Sequence, residues 1–87
     1  MNKFIKIVIR SRRVQERLIN IRHVKEIITE IKQYNGERYL YLLLRISDDL
    51  TLDCRLKHED SNIMSIITEF LENDDIVLDI SRYLDLD

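Results

Sequence analysis

The sequence predicts a mainly β, α+β fold: about five antiparallel strands in a meander or small barrel, with one C-terminal helix. Two observations lead there. The apolar inventory holds fourteen Ile, four Val and twelve Leu but no Ala, Trp or Pro; β-branched residues favour strands, whereas Ala is the best helix former. Apolar residues also alternate over residues 3–10 and 38–56, which is the two-residue period of a strand with one buried face. A ferredoxin-like β-α-β-β-α-β arrangement is the alternative, and residues 11–35 decide between the two.

Along residues 3–10, Ile5, Ile7 and Ile9 share one face, while Phe4, Lys6, Val8 and Arg10 share the other. Over 38–56, Leu40, Leu42, Leu44 and Ile46 line one side of a first strand, and Leu50, Leu52, Cys54 and Leu56 line a second. Ser47-Asp48-Asp49 between them supplies turn chemistry, because short polar side chains bond their own backbone. Ile63, Ile66, Ile67, Phe70 and Leu71 then recur at helical spacing, with Asp60 or Ser61 as the cap and Asn73-Asp74-Asp75 as the stop. Residues 1–73 are read as one small β-rich domain, and 74–87 as an acidic tail. In that tail Ile76, Leu78, Ile80, Leu84 and Leu86 alternate with polar residues, with Arg82 breaking the apolar face. Either an added strand or a mobile segment fits this pattern.

Residues 11–35 read two ways. As a helix, Val14, Leu18, Ile21, Val24, Ile28 and Ile31 form a stripe that Asn35-Gly36 would end. As strands, Gln15–Ile21 and Val24–Tyr34 are rich in Ile and Val, and Asn35-Gly36 becomes a tight hairpin turn. Periodicity alone leans slightly to the helix.

Beyond periodicity, the chain carries Phe4-Ile5-Lys6, then Leu18-Ile19-Asn20-Ile21-Arg22-His23-Val24-Lys25-Glu26-Ile27, then the Asn35-Gly36 turn and the Leu50–Leu56 strand running into a helix. Over roughly residues 3–72 this resembles a group of small bacterial proteins, the swarming and flagellar-motility family related to FlbD and SwrD. Ser11-Arg12-Arg13 and Ser47-Asp48-Asp49 stand where that layout has glycine turns, and nothing in it corresponds to the chain after Asn73. The resemblance therefore implies a layout rather than a motility role. It favours two strands across 11–35, with Asn20 and His23 at a kink between them, and so a β meander.

Composition limits the chemistry. With 87 residues the chain makes one domain, burying roughly 60% of its unfolded surface. One Gly, Gly36, leaves no glycine-rich phosphate loop, and one Cys, Cys54, leaves no internal disulfide or multi-cysteine zinc site. The lone thiol, together with an N-terminal segment interrupted early by Lys3 and Lys6, points to the cytoplasm, and no apolar run is long enough for membrane insertion. His23, Cys54 and His58, with Asp53 or Glu59, are the residues from which a zinc set could be drawn. Cys54 shares a face with three leucines, so it reads as a small buried residue. No nucleophile, base and orienting group can be assembled, and no enzyme activity, cofactor or metal is expected.

Two surface features remain. Tyr39, Tyr41 and Leu43 face away from Leu40, Leu42 and Leu44, and the apolar alternation of Ile76, Leu78 and Ile80 resembles an addable strand. These six residues are the candidate protein interface of a self-associating, non-enzymatic adaptor, a homo-oligomer with room for another protein partner. The charge is also divided. Residues 1–47 hold eleven basic and four acidic side chains, and residues 48–87 hold three and twelve. Arg10, Arg12, Arg13, Arg17 and Arg22 are therefore the candidate contacts of the alternative function, a small nucleic-acid-binding regulator. Against it stand the acidic half and the lack of interleaved aromatics other than Phe4.

Overall fold

The computed structural model describes residues 2–10, 12–57 and 62–86. It is mainly β, with six strands in two three-stranded sheets and one helix. In the first sheet β1 (Phe4–Arg10) lies between β2 (Val14–Asn20), antiparallel to it, and β6 (Val77–Asp79), parallel to it. In the second, β4 (Glu37–Ser47) lies between β3 (Glu26–Tyr34) and β5 (Leu50–Arg55), all antiparallel. Helix α1 spans Ile63–Glu72. The meander closes into two sheets rather than a barrel, and the sixth strand comes from the tail.

Val14–Asn20 and Glu26–Tyr34 are strands, and the helical stripe is not used. A kink at Asn20–His23 separates the two strands. Asn20 ends β2 and its Oδ1 accepts a hydrogen bond from the Arg22 N–H at 3.0 Å, starting a single 3-10 turn over Ile21–His23. This local bond redirects the chain from one sheet to the other. Asn35 and Gly36 both have positive φ, 52° and 80°. That is the two-residue turn whose twist matches the strands it joins, and it sets the register Tyr34↔Glu37 through Glu26↔Arg45.

One buried cluster unites the layers. It takes Ile5, Ile7 and Ile19 from the first sheet, Leu40, Leu42, Leu44, Leu52, Cys54 and Leu56 from the second, and Ile63, Ile67 and Phe70 from α1. Ile80 and Leu84 complete it. Ile80 and Leu84, with Leu78, Tyr83 and Leu86 packed against the cluster, therefore join the core of the rest of the described chain. The tail's strand β6 extends the first sheet. A second 3-10 turn over Ser81–Tyr83 then carries it to the other sheet, where the Lys57 N–H donates to Tyr83 O at 2.9 Å and the Asp85 N–H to Arg55 O at 2.8 Å. The tail thus ties the two sheets together.

Ionic contacts follow the same path. Lys6, in the middle of β1, reaches Glu16 on β2 at 3.5 Å and Asp79 on β6 at 3.9 Å. Asp79 is held below the usual carboxylate range, first by the hydroxyl of Ser81, then by its N–H, with Lys6 and Arg82 adding to them. Its contribution is present above the ordinary carboxylate pKa and is lost as pH falls through the lowered one. Asp60 and Ser61, the expected helix caps, lie outside the described residues; Asn62 precedes the helix without a side-chain capping bond. Among the described residues no helix is long and apolar enough to cross a membrane.

Candidate interaction surface

The register places Tyr39, Tyr41, Leu43 and Arg45 on the outer face of the second sheet, opposite Lys32, Glu30, Ile28 and Glu26 of β3. This face is not bare. The Lys32 ammonium lies 4.8 Å from the Tyr41 ring centroid and 3.3 Å from Asp53, and the Arg55 guanidinium lies 4.7 Å from the Tyr39 ring. Tyr39 donates its hydroxyl to the Glu37 carboxylate, and that bond, with some desolvation, raises its pKa. Burial opposes the charge on Lys32, but the hydrogen bond and charge of Asp53 outweigh it and leave its pKa raised. Arg45 pairs with Glu26 at 3.4 Å, and Arg55 with Asp85 at 2.9 Å. Long cationic stems can cover aromatic and apolar surface while their heads stay hydrated. Tyr39 and Tyr41 are accordingly half-buried and Leu43 is buried.

The tail residues of the expected interface separate. Ile76 is exposed and Leu78 half-buried, but Ile80 is fully buried and belongs to the core. Ile80 corrects the expected interface, because alternation identifies residues sharing a face and not what covers that face. Leu43 is closed over in the same way.

The arginines do not form a single patch. Arg12 and Arg13 lie exposed between β1 and β2, next to Arg10 at the end of β1. Arg10 pairs with Val14 on one face of this hairpin, whereas Arg17 pairs with Ile7 on the other. Arg22 lies beyond the far end of β2, where its guanidinium donates to Asn2 Oδ1 at 3.3 Å. Arg10 itself donates to Leu86 O at 3.3 Å.

Cys54 is 5% exposed among leucines and isoleucines, and burial pushes its thiol pKa up to about 11. His58 and Glu59 lie outside the described residues, and His23 is exposed on its turn. Among the described residues no three His, Cys, Asp or Glu side chains gather to hold a metal. At pH 8 about a thousandth of Cys54 would be thiolate, the form that reacts. The native chain is expected to resist an aromatic disulfide reagent at that pH and to react at once in denaturant. Rapid stoichiometric labelling of the folded chain would contradict this environment. An unfolded chain releases the proton near 9.0 and the folded chain near 11, so this group's contribution to stability falls as pH rises through that window.

What sequence reasoning passed over is the strand edges. Among the described residues no strand pairs with the outer edge of β2 or of β3. Val14 and Leu18 on β2 and Ile31 and Tyr34 on β3 are each exposed, with Ile31 at 46% and Tyr34 at 53%. A long run of β-branched residues after a kink was the available signal. Comparison of the chain with protein-family models, with curated proteins and with solved structures returned no match.

Proposed function

We propose that this chain is a small protein–protein interaction module that associates with copies of itself, with no chemistry of its own. The observation that supports this most is the open nine-residue edge of β3, which carries exposed apolar side chains on a strand firmly paired to β4 on its other side. An unpaired edge presents a row of backbone donors and acceptors that another strand can satisfy. Natural proteins blunt such edges with proline, bulges, short length or charged side chains; β3 has no proline, bulge or short length, and its charges Glu30 and Lys32 are of opposite sign. Sedimentation velocity from low to high micromolar concentration should show a concentration-dependent shift from monomer to a larger species. A single monomeric species throughout would defeat the proposal.

The second reading is nucleic-acid binding. Exposed Arg12 and Arg13 at the hairpin end favour it, and the distribution of Arg17 and Arg22 over another face and another end counts against it. It predicts a complex with short duplex or single-stranded oligonucleotides at low salt that is lost as salt rises and on Arg12→Glu with Arg13→Glu. No anisotropy change at low salt would eliminate it.

A further inference from the structure

The β3 edge is self-complementary about one residue, and we infer that two copies of the chain pair antiparallel along it, with Ile31 on the two-fold axis. This inference rests on the self-association reading and names its surface.

The geometry starts at the turn. In a two-residue hairpin the residues flanking the turn form a hydrogen-bonded pair, and bonded and non-bonded pairs then alternate along the ladder. Tyr34, which pairs with Glu37 beside Asn35-Gly36, therefore directs its backbone polar groups to β4, as do Lys32 and Glu30. The N–H and C=O groups of Gln33, Ile31 and Thr29 point the other way, to the open edge. Centring a two-fold axis on Ile31 sets Ile31 opposite Ile31 of the second copy as a bonded pair. Thr29 then meets the second copy's Gln33, and Gln33 its Thr29, also as bonded pairs.

The side chains agree with that register. On the outer face Glu30 falls opposite the second copy's Lys32, and Lys32 opposite its Glu30. Ile28 falls opposite Tyr34 in both directions. Opposite charges and aromatic–β-branched pairs are the cross-strand combinations that stabilise antiparallel sheets. On the inner face the exposed Ile31 side chains meet each other. Thr29, Glu30, Ile31 and Gln33 are all exposed, so no described part of the chain occupies this edge from either face. The result is one continuous sheet in the order β5-β4-β3-β3-β4-β5. About its middle residues the other long edge does not offer this. A two-fold pairing of β2 centred on Glu16 or Arg17 would set like charges directly opposite each other, which is destabilising.

The test is a pair of charge variants. Glu30→Lys places lysine opposite lysine in a homodimer, and Lys32→Glu places glutamate opposite glutamate. Each is expected to weaken self-association about tenfold or more, because two pairs per dimer change sign. An equimolar mixture of the two variants restores Lys–Glu pairs on both sides of the axis and is expected to associate more tightly than either variant alone, the Lys32–Asp53 pair remaining lost in one copy. Ile31→Lys, at a solvent-exposed position that leaves the β4 ladder intact, should also weaken association while circular dichroism and thermal melts stay native-like. If the unaltered 87-residue chain is monomeric at every concentration, both this pairing and the self-association reading fall. If it associates but the variants associate equally well, or their mixture shows no recovery, the β3 pairing is overturned and self-association through another surface stands.

Discussion

Ile80→Ala is expected to cost about 2–5 kcal/mol of unfolding free energy, although it lies in what the sequence presents as an acidic tail. Ile80 is fully buried in the common core. Its N–H donates to Lys6 O at 3.1 Å, so the side chain is held against β1 where the tail leaves the first sheet. Truncation removes buried methyl groups and leaves a cavity that this fixed backbone cannot readily collapse. In a chain of 87 residues whose total stability should be on the order of 5–10 kcal/mol, that loss brings the fold near its limit. Ile76→Ala is the control: Ile76 is exposed and its truncation should change stability by less than about 0.5 kcal/mol. Urea denaturation of both variants decides the matter. Equal, small effects would mean that the tail is an appendage after all.

The strands read most directly from the sequence are those whose two faces differ in one respect only, burial. In β1, β4 and β5 the alternating Ile5, Ile7, Leu40, Leu42, Leu44, Leu52 and Cys54 enter the core, while Leu50, which opens β5, is exposed. The Asn35-Gly36 turn was equally legible once the flanking residues were taken as strands, since both central positions need positive φ. Residues 14–20 were not. Their only buried side chain is Ile19, so burial imposes no clear period there and a helical stripe fits as well. What covers the outer face of β4 was not legible for a different reason. Tyr39 and Tyr41 are covered by Arg55 and Lys32, which come from neighbouring strands, and a single strand's pattern carries no information about its neighbours. The self-complementarity of Glu30-Ile31-Lys32 lay in plain view in the sequence, but it acquires meaning only after β3 is known to be an edge.

The division of charge between the two halves of the chain also has a structural use, and it leads to the second large effect expected. Helix α1 ends with Glu69 and Glu72 in its last turn and no basic residue there, the wrong sign for the negative end of a helix dipole. Lys3 supplies the missing cation from the other end of the chain. Its Nζ donates to Phe70 O at 3.0 Å, to Asn73 O at 2.8 Å and to Asp75 O, and it lies 4.5 Å from the Phe70 ring centroid. One ammonium group thus gathers the Phe70 carbonyl of the last turn, which also accepts from the Asn73 N–H at 3.4 Å, together with the carbonyls of Asn73 and Asp75 just beyond the helix. The Phe4 N–H donates to Ile76 O at 2.8 Å and fixes the same junction. Lys3→Met keeps an unbranched stem of comparable bulk and removes only the charged donor. It is expected to cost about 1–3 kcal/mol, the range for a lost hydrogen bond to a charged group, with part of that offset because water can reach the outer carbonyls. Amide hydrogen exchange should quicken in the last turn of α1 and in residues 73–76 before it changes in β4. Lys3→Arg, which keeps the charge and multiple donors, should recover most of the loss. If Lys3→Met unfolds at the same urea concentration as the unaltered chain, Lys3 does not anchor the helix terminus.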